Sequence, residues 1–113
     1  MVMGMSKIVA MPRRDGKWAE SEIRRILSLG HHRVIIGTHT KERMLERGFS
    51  RADLFRALER GHVMDDPEKT ALPNEWKCKV VYNLKENRDC GVVTIIQEKD
   101  SLFVKTIEWE DLR

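Results

Sequence analysis

Apolar residues recur along the chain with two periods, and the change from one to the other divides the sequence. From Trp18 to Leu29 the spacing is helical: Trp18, Ile23, Ile26, Leu27 and Leu29 approximate one face, and Gly30 ends the run. After His31-His32-Arg33, the apolar block Val34-Ile35-Ile36-Gly37 predicts a short strand. Thr38-His39-Thr40 opens a second helix over Lys41–Arg47, and either threonine is a possible cap. Gly48 suits the residue after that helix, because glycine enters the left-handed region without strain. Ser50 and Asp53 then read as a capping box. Phe49 and Leu54, on either side of the helix start, read as a hydrophobic staple. The third helix carries Leu54, Phe55 and Leu58 and ends at Gly61.

Beyond Gly61 the period drops to two. His62-Val63-Met64 predicts a short strand, and Asp65 to Glu75, with Pro67 and Pro73, a loop. Lys77 to Leu84 alternates, with Cys78, Val80, Tyr82 and Leu84 on one face. Asn87-Arg88-Asp89 marks a turn. Gly91 to Gln97 is nearly continuous Val, Ile and Thr, as in a central strand. Lys99-Asp100 makes the next turn, Leu102 to Trp109 the last strand, and residues 110–113 a tail. Helices first and an antiparallel meander afterwards predict an α+β fold, with amino-terminal helices on one face of the sheet. Residues 1–16 read as an irregular lead-in and residues 17–113 as one domain, which suits a 113-residue chain.

Composition narrows the picture. Hydrophobic residues make up 41%, too many for a disordered chain, yet no run approaches the roughly 20 apolar residues of a membrane helix. The first ten residues make a poor signal peptide, so a cytoplasmic address with no membrane association is the expectation. Cys78 and Cys90 fall out of register on two strands joined by a tight turn, so they read as buried reduced thiols. The net charge of +3 is unevenly spread: residues 1–60 carry +6 and residues 61–113 carry −3. A basic amino-terminal half suits a polyanion such as RNA, DNA or an acidic peptide, although many solvated helical surfaces are also basic.

One group of side chains has chemical potential. His39, Arg43 and Arg47 are spaced i, i+4 and i+8, so they drift only about 80° around a helix and form one polar stripe. Histidine titrates near neutrality and can carry a proton, while arginine presents a rigid fork to phosphate oxygens. The neighbouring Glu42 and Glu46 allow the plainer reading, a solvated helix face with ion pairs. No Gly-rich phosphate loop, nucleophile elbow or HExxH motif occurs, and no metal site or cofactor is expected. Trp18, Trp76 and Trp109 read as core or rim residues.

The run Thr38-His39-Thr40-Lys41-Glu42-Arg43-Met44-Leu45-Glu46-Arg47-Gly48-Phe49-Ser50, continuing to Gly61-His62-Val63, resembles the opening H-x-x-x-R-h-x-x-R-G-h-s pattern of the domain of unknown function 4258 family. Val104-Lys105-Thr106-Ile107-Glu108-Trp109 is similar to that family's closing strand, though Glu108 intrudes before the aromatic residue. The resemblance spans residues 34–109 and leaves the first helix outside. The family is grouped with the barnase, EndoU, colicin and RelE-like superfamily. The resemblance therefore implies helices packed on a curved, mainly antiparallel sheet of about four strands (RelE-like). It implies a metal-independent endoribonuclease that attacks the adjacent phosphate with the 2′-hydroxyl. It also implies a toxin whose partners are RNA, free or on the ribosome, and a small antitoxin protein. By position, His39 would be the general acid or base, Arg43 would hold phosphate, and Arg47 would hold phosphate or orient the site. Thr106 would hydrogen-bond the substrate or a catalytic partner.

From strand alternation, Lys77 and Lys79 share the face opposite Cys78 and Val80 and are the candidate RNA contacts. Lys105 falls on the face opposite Thr106. The alternative function is a non-catalytic nucleic-acid- or protein-binding regulatory module on the same fold.

Overall fold

The computed structural model describes residues 13–110. Helix α1 (Gly16–Leu29) starts two residues before the apolar period, because the Asp15 side chain caps it by accepting from the Trp18 N–H at 2.9 Å. It buries Ala19, Ile23, Ile26 and Leu27, whereas Leu29 stays exposed. A single 3₁₀ turn, His31–Arg33, leads into strand β1 (Val34–Ile36).

Helix α2 (Thr38–Arg47) is capped by Gly37 and not by a threonine, and no side chain bonds its first turn. Thr40 is occupied elsewhere, as described below. Gly48 ends α2 at φ 78°, the left-handed conformation expected of it. Helix α3 (Arg51–Arg60) has the full capping box: Ser50 Oγ accepts from the Asp53 N–H at 3.0 Å, and the Asp53 carboxylate accepts from the Ser50 N–H at 2.9 Å.

Two strands of two residues each, β2 (His62–Val63) and β3 (Glu68–Lys69), precede the long meander β4 (Trp76–Lys85), β5 (Arg88–Gln97) and β6 (Ser101–Trp109). The sheet order is β1-β6-β5-β4-β2, and β3 also pairs with β4. It is six-stranded and mostly antiparallel, with β1 parallel to β6. The resemblance implied about four strands and the apolar spacing marked five; the sixth, β3, lies inside the segment read as a loop, and the pairing of such short pieces depends on their neighbours. The sheet does not close into a barrel.

One continuous core lies between the helices and one face of the sheet. Ile23, Ile26, Leu54 and Leu58 from the helices meet Val80, Cys90, Val92, Thr94, Leu102, Val104 and Ile107 from the strands. Cys78 and Cys90 are free thiols, paired in register with Thr94 and Tyr82, not with each other. Burial pushes the Cys78 thiol up to about 12 and the Cys90 thiol up to about 11. The tryptophans pack at the core and its rim. Trp18 meets Trp76 edge-on with centroids 6.1 Å apart, and Trp109 stacks on Phe49 at 4.3 Å. No described helix is long and apolar enough to cross a membrane.

The register of β6 contains one irregularity that matters for the surface. Val93 pairs with Thr106 and Thr94 with Val104, which leaves Lys105 as an extra residue. Burial consequently steps from Val104 to Ile107 instead of keeping strict alternation. Thr106, opposite the outward Val93, and Lys105, unpaired at the bulge, both leave the core face. Simple alternation had put them on opposite faces. The bulge overturns that assignment, because it inserts one residue into the two-residue period.

Candidate functional site

Only residues Leu102–Val104 of β6 have β1 as a neighbour, so the carbonyls farther along would be a bare strand edge. Helix α2 covers that edge. Thr40, 3% exposed, donates its Oγ1 hydroxyl to the Lys105 carbonyl at 2.9 Å and lies 3.3 Å from that of Val104. Farther along, the Arg47 Nη1 donates to the Ile107 carbonyl at 3.1 Å, and the Trp109 indole N–H donates to the Arg47 carbonyl at 2.9 Å. The helix is thus pinned along the edge at both ends, and one pin sits on the bulge.

This docking fixes which way the stripe points. With Thr40 facing the sheet edge, Met44 lies about 40° to one side, and it is buried with the helical core. Arg47, Arg43 and His39 lie on the other side, at about 20°, 60° and 100°. By this geometry those residues turn progressively from the edge toward the face of the sheet that no described helix covers. His39 is exposed, in the first turn of α2, and makes no hydrogen bond or ion pair with the described residues. Arg43 is half-buried and 3.9 Å from Glu46. Arg47 spends part of its fork on Ile107, so it orients the helix whatever else it does.

Two rows of cross-strand neighbours organise the open face. One runs Lys79, Val93, Thr106, and the other runs Glu68, Lys77, Ile95, Phe103, Ile35. Thr106 is partly exposed, and its hydroxyl has no partner among the described residues. Lys77 and Lys79 do face this surface, as alternation requires. Each has an acidic neighbour: Lys77 is 3.6 Å from Glu68, and Lys79 is 2.6 Å from Glu110. Lys105 lines a depression with Lys69, Lys77, Ile95 and the acidic Glu68 and Glu75, and forms no ion pair or hydrogen bond with its side chain among the described residues. A second depression holds Lys77 and Lys79 together with Asp65, Asp66 and Glu68, a mixed-charge lining. Neither depression includes His39, Arg43, Arg47 or Thr106.

Helix geometry thus puts His39 and Arg43 on the flank of α2 away from Met44, while Thr106 stands on the open face of β6 with Lys79 two strands away in the same row; no hydrogen bond or shared depression joins these residues. Sequence reasoning misplaced Lys105, setting it on the face opposite Thr106; the signal for the bulge was the three-residue step between the apolar Val104 and Ile107. It also missed Phe103, whose ring packs 3.9 Å from where a Cβ on Gly37 would stand, beside the α2 cap. Among the described residues no three His, Cys, Asp or Glu side chains converge as metal ligands.

Comparison with known proteins adds one finding. No curated protein and no solved structure matches the chain. A family model described as "Domain of unknown function (DUF4258)" matches residues 36–109. The match runs from the end of β1 to the end of β6 and takes in α2 with its stripe, the capping box of α3 and the bulged strand. Covering well over half of the chain, it establishes that this protein belongs to the DUF4258 family.

Proposed function

We propose that this protein is a metal-independent endoribonuclease of RelE-like type, acting as the toxin of a toxin–antitoxin pair, with His39, Arg43 and Thr106 at its centre. In this reading the substrate O2′ attacks the adjacent phosphorus and the P–O5′ bond breaks. The products are a 2′,3′-cyclic phosphate and a 5′-hydroxyl. Overall one proton moves from O2′ to O5′, and a neutral His39 accepts it or a protonated His39 supplies it. Arg43 offsets the charge building on the phosphorane, and Thr106 hydrogen-bonds a phosphate oxygen or the ribose. Arg47 holds α2 on the β6 edge and so sets where His39 stands; Lys77 and Lys79 contact the RNA backbone.

The observation that carries the reading is the pinning of α2 to the bulged edge, which sets the first turn of α2, with an exposed His39, beside the strand that carries Thr106; neither side chain has a hydrogen-bond partner among the described residues. The test is cleavage of a single-stranded RNA by the parent, His39→Ala and Arg43→Ala proteins, with chelator present and product ends mapped. The expected result is cyclic phosphate ends from the parent and a loss of at least a hundredfold in His39→Ala. Folded variants that cut as fast as the parent would remove His39 and Arg43 from the chemistry.

A second reading, a non-catalytic binding module, is favoured by two observations. The lysines on β4 are already engaged by Glu68 and Glu110, and the stripe stands outside the two depressions on the open face. If the parent cuts no RNA yet binds it with a steep salt dependence, this second reading holds.

A further inference from the structure

We propose that Phe103 and Lys105 form a nucleotide subsite beside the amino terminus of α2, with the Phe103 ring stacking one unpaired base and the Lys105 ammonium holding the phosphate next to it. The inference takes its ligand, single-stranded RNA, from the ribonuclease reading, and goes beyond it in naming where a base is held.

Three observations meet here. Phe103 sits on the open face, in register between Ile35 and Ile95, and is partly exposed. A phenylalanine on a solvent-facing sheet surface, flanked by two further apolar side chains, offers a planar apolar shelf with no hydrogen-bonding requirement of its own. Such a shelf suits a base face, because every base presents a π surface. Secondly, the ring lies against Gly37, the cap of α2, two residues before His39. A base on Phe103 therefore places its sugar and phosphate near the one unpartnered histidine of α2. Thirdly, a cation stands on the same face: Lys105, two residues from Phe103, is exposed and forms no ion pair with the described residues, unlike Lys77 and Lys79, although Glu68 and Glu75 line the same depression. In an unbulged strand Phe103 and Lys105 would also share a face, but Thr106 would turn to the other side. The bulge puts ring, ammonium and threonine hydroxyl on one surface. Aromatic shelf plus free cation matches base plus phosphate. Duplex RNA, whose bases are stacked internally, does not fit the shelf.

The experiment uses the full chain carrying His39→Ala, so that the RNA probe survives. A fluorescent ten-nucleotide single-stranded RNA and its duplex form are titrated in parallel at several salt concentrations. In this background Phe103→Leu is expected to weaken single-strand binding about tenfold with the salt slope unchanged, whereas Phe103→Tyr retains the affinity. Lys105→Gln is expected to lower the salt slope by about 0.7, the loss of one phosphate contact. Circular dichroism confirms that each variant is folded. Phe103→Leu binding within twofold of its parent overturns the subsite, and so does duplex binding that matches the single strand. If His39 proves irrelevant to cleavage while Phe103→Leu still weakens binding, the subsite stands and the catalytic reading falls.

Discussion

Replacing Thr40 with valine removes a single atom's chemistry and keeps the side chain's shape. The Thr40 hydroxyl has one proton, and its geometry commits that proton to the Lys105 carbonyl at 2.9 Å, with the Val104 carbonyl more distant at 3.3 Å. Thr40 is buried and its bond to the Lys105 carbonyl partly so, which limits how far water can replace the donor. A buried acceptor left unmatched costs about 1–3 kcal/mol. The methyl group that takes the hydroxyl's place returns at most about 0.8 kcal/mol through apolar burial. The net destabilisation is about 0.2–2 kcal/mol, or up to about 10 °C in Tm for a domain of this size. Urea and thermal denaturation of parent, Thr40→Val and Thr40→Ser measure it, and serine, which keeps the hydroxyl, is expected to lie closer to the parent. Hydrogen exchange adds the local readout, since freeing one pin should raise exchange in α2 before the rest of the fold. A Thr40→Val protein as stable as its parent, with α2 amides equally protected, would refute the idea that this hydroxyl pins the helix to the bulge.

Three further outcomes follow from the same structure. If His39 is the proton carrier, ribonuclease activity depends on pH. A rate that falls on acidification marks it as the base, one that falls on alkalinisation marks it as the acid, and a flat profile removes it from both roles. Burial opposes ionisation of Asp53, but the Ser50 N–H and the Lys85 ammonium at 3.3 Å outweigh it and hold its carboxyl below the ordinary range. Its stabilisation is therefore complete above the unfolded value of about 3.9 and is lost as pH falls through the lower folded value. Asp53→Asn should cost about 1 kcal/mol at neutral pH and flatten the acid limb of a stability–pH curve. The Cys78 and Cys90 thiols, raised from 9.0 to about 12 and about 11 by burial, should resist alkylation at pH 8 in the native protein and react promptly in denaturant. In the unfolded chain they ionise near their ordinary value while the folded thiols stay neutral. Stability should therefore decline as pH rises from about 9 toward those folded values, and a Cys78→Ala variant should decline less.

Much of the architecture was legible from residues near one another in the chain. The capping box of Ser50 and Asp53, the left-handed Gly48 and the inward set Cys78, Val80, Tyr82 and Leu84 all appear as read. So does the separation of the two cysteines. The stripe itself was legible, since its three members lie on one flank of a helix. Its surroundings were not. Nothing in Thr38-His39-Thr40 reveals that Thr40 spends its hydroxyl on strand β6, which leaves the capping position to Gly37. Nor does the run Arg43 to Arg47 reveal that the last arginine reaches the Ile107 carbonyl.

The sequence by itself determined the α+β class, the three helices with their carboxy-terminal ends and the capped start of α3, and the three long strands with the core face of β4. Each of these depends on backbone preferences and apolar spacing within a few residues. Only the tertiary structure decided the parallel pairing of β1 with β6, the extra residue at Lys105 and the salt partners of Lys77 and Lys79. Those outcomes depend on which distant segment supplies the missing hydrogen-bond partner or charge. A strand edge accepts whichever donor packs against it, and one inserted residue is enough to exchange the two faces of everything that follows.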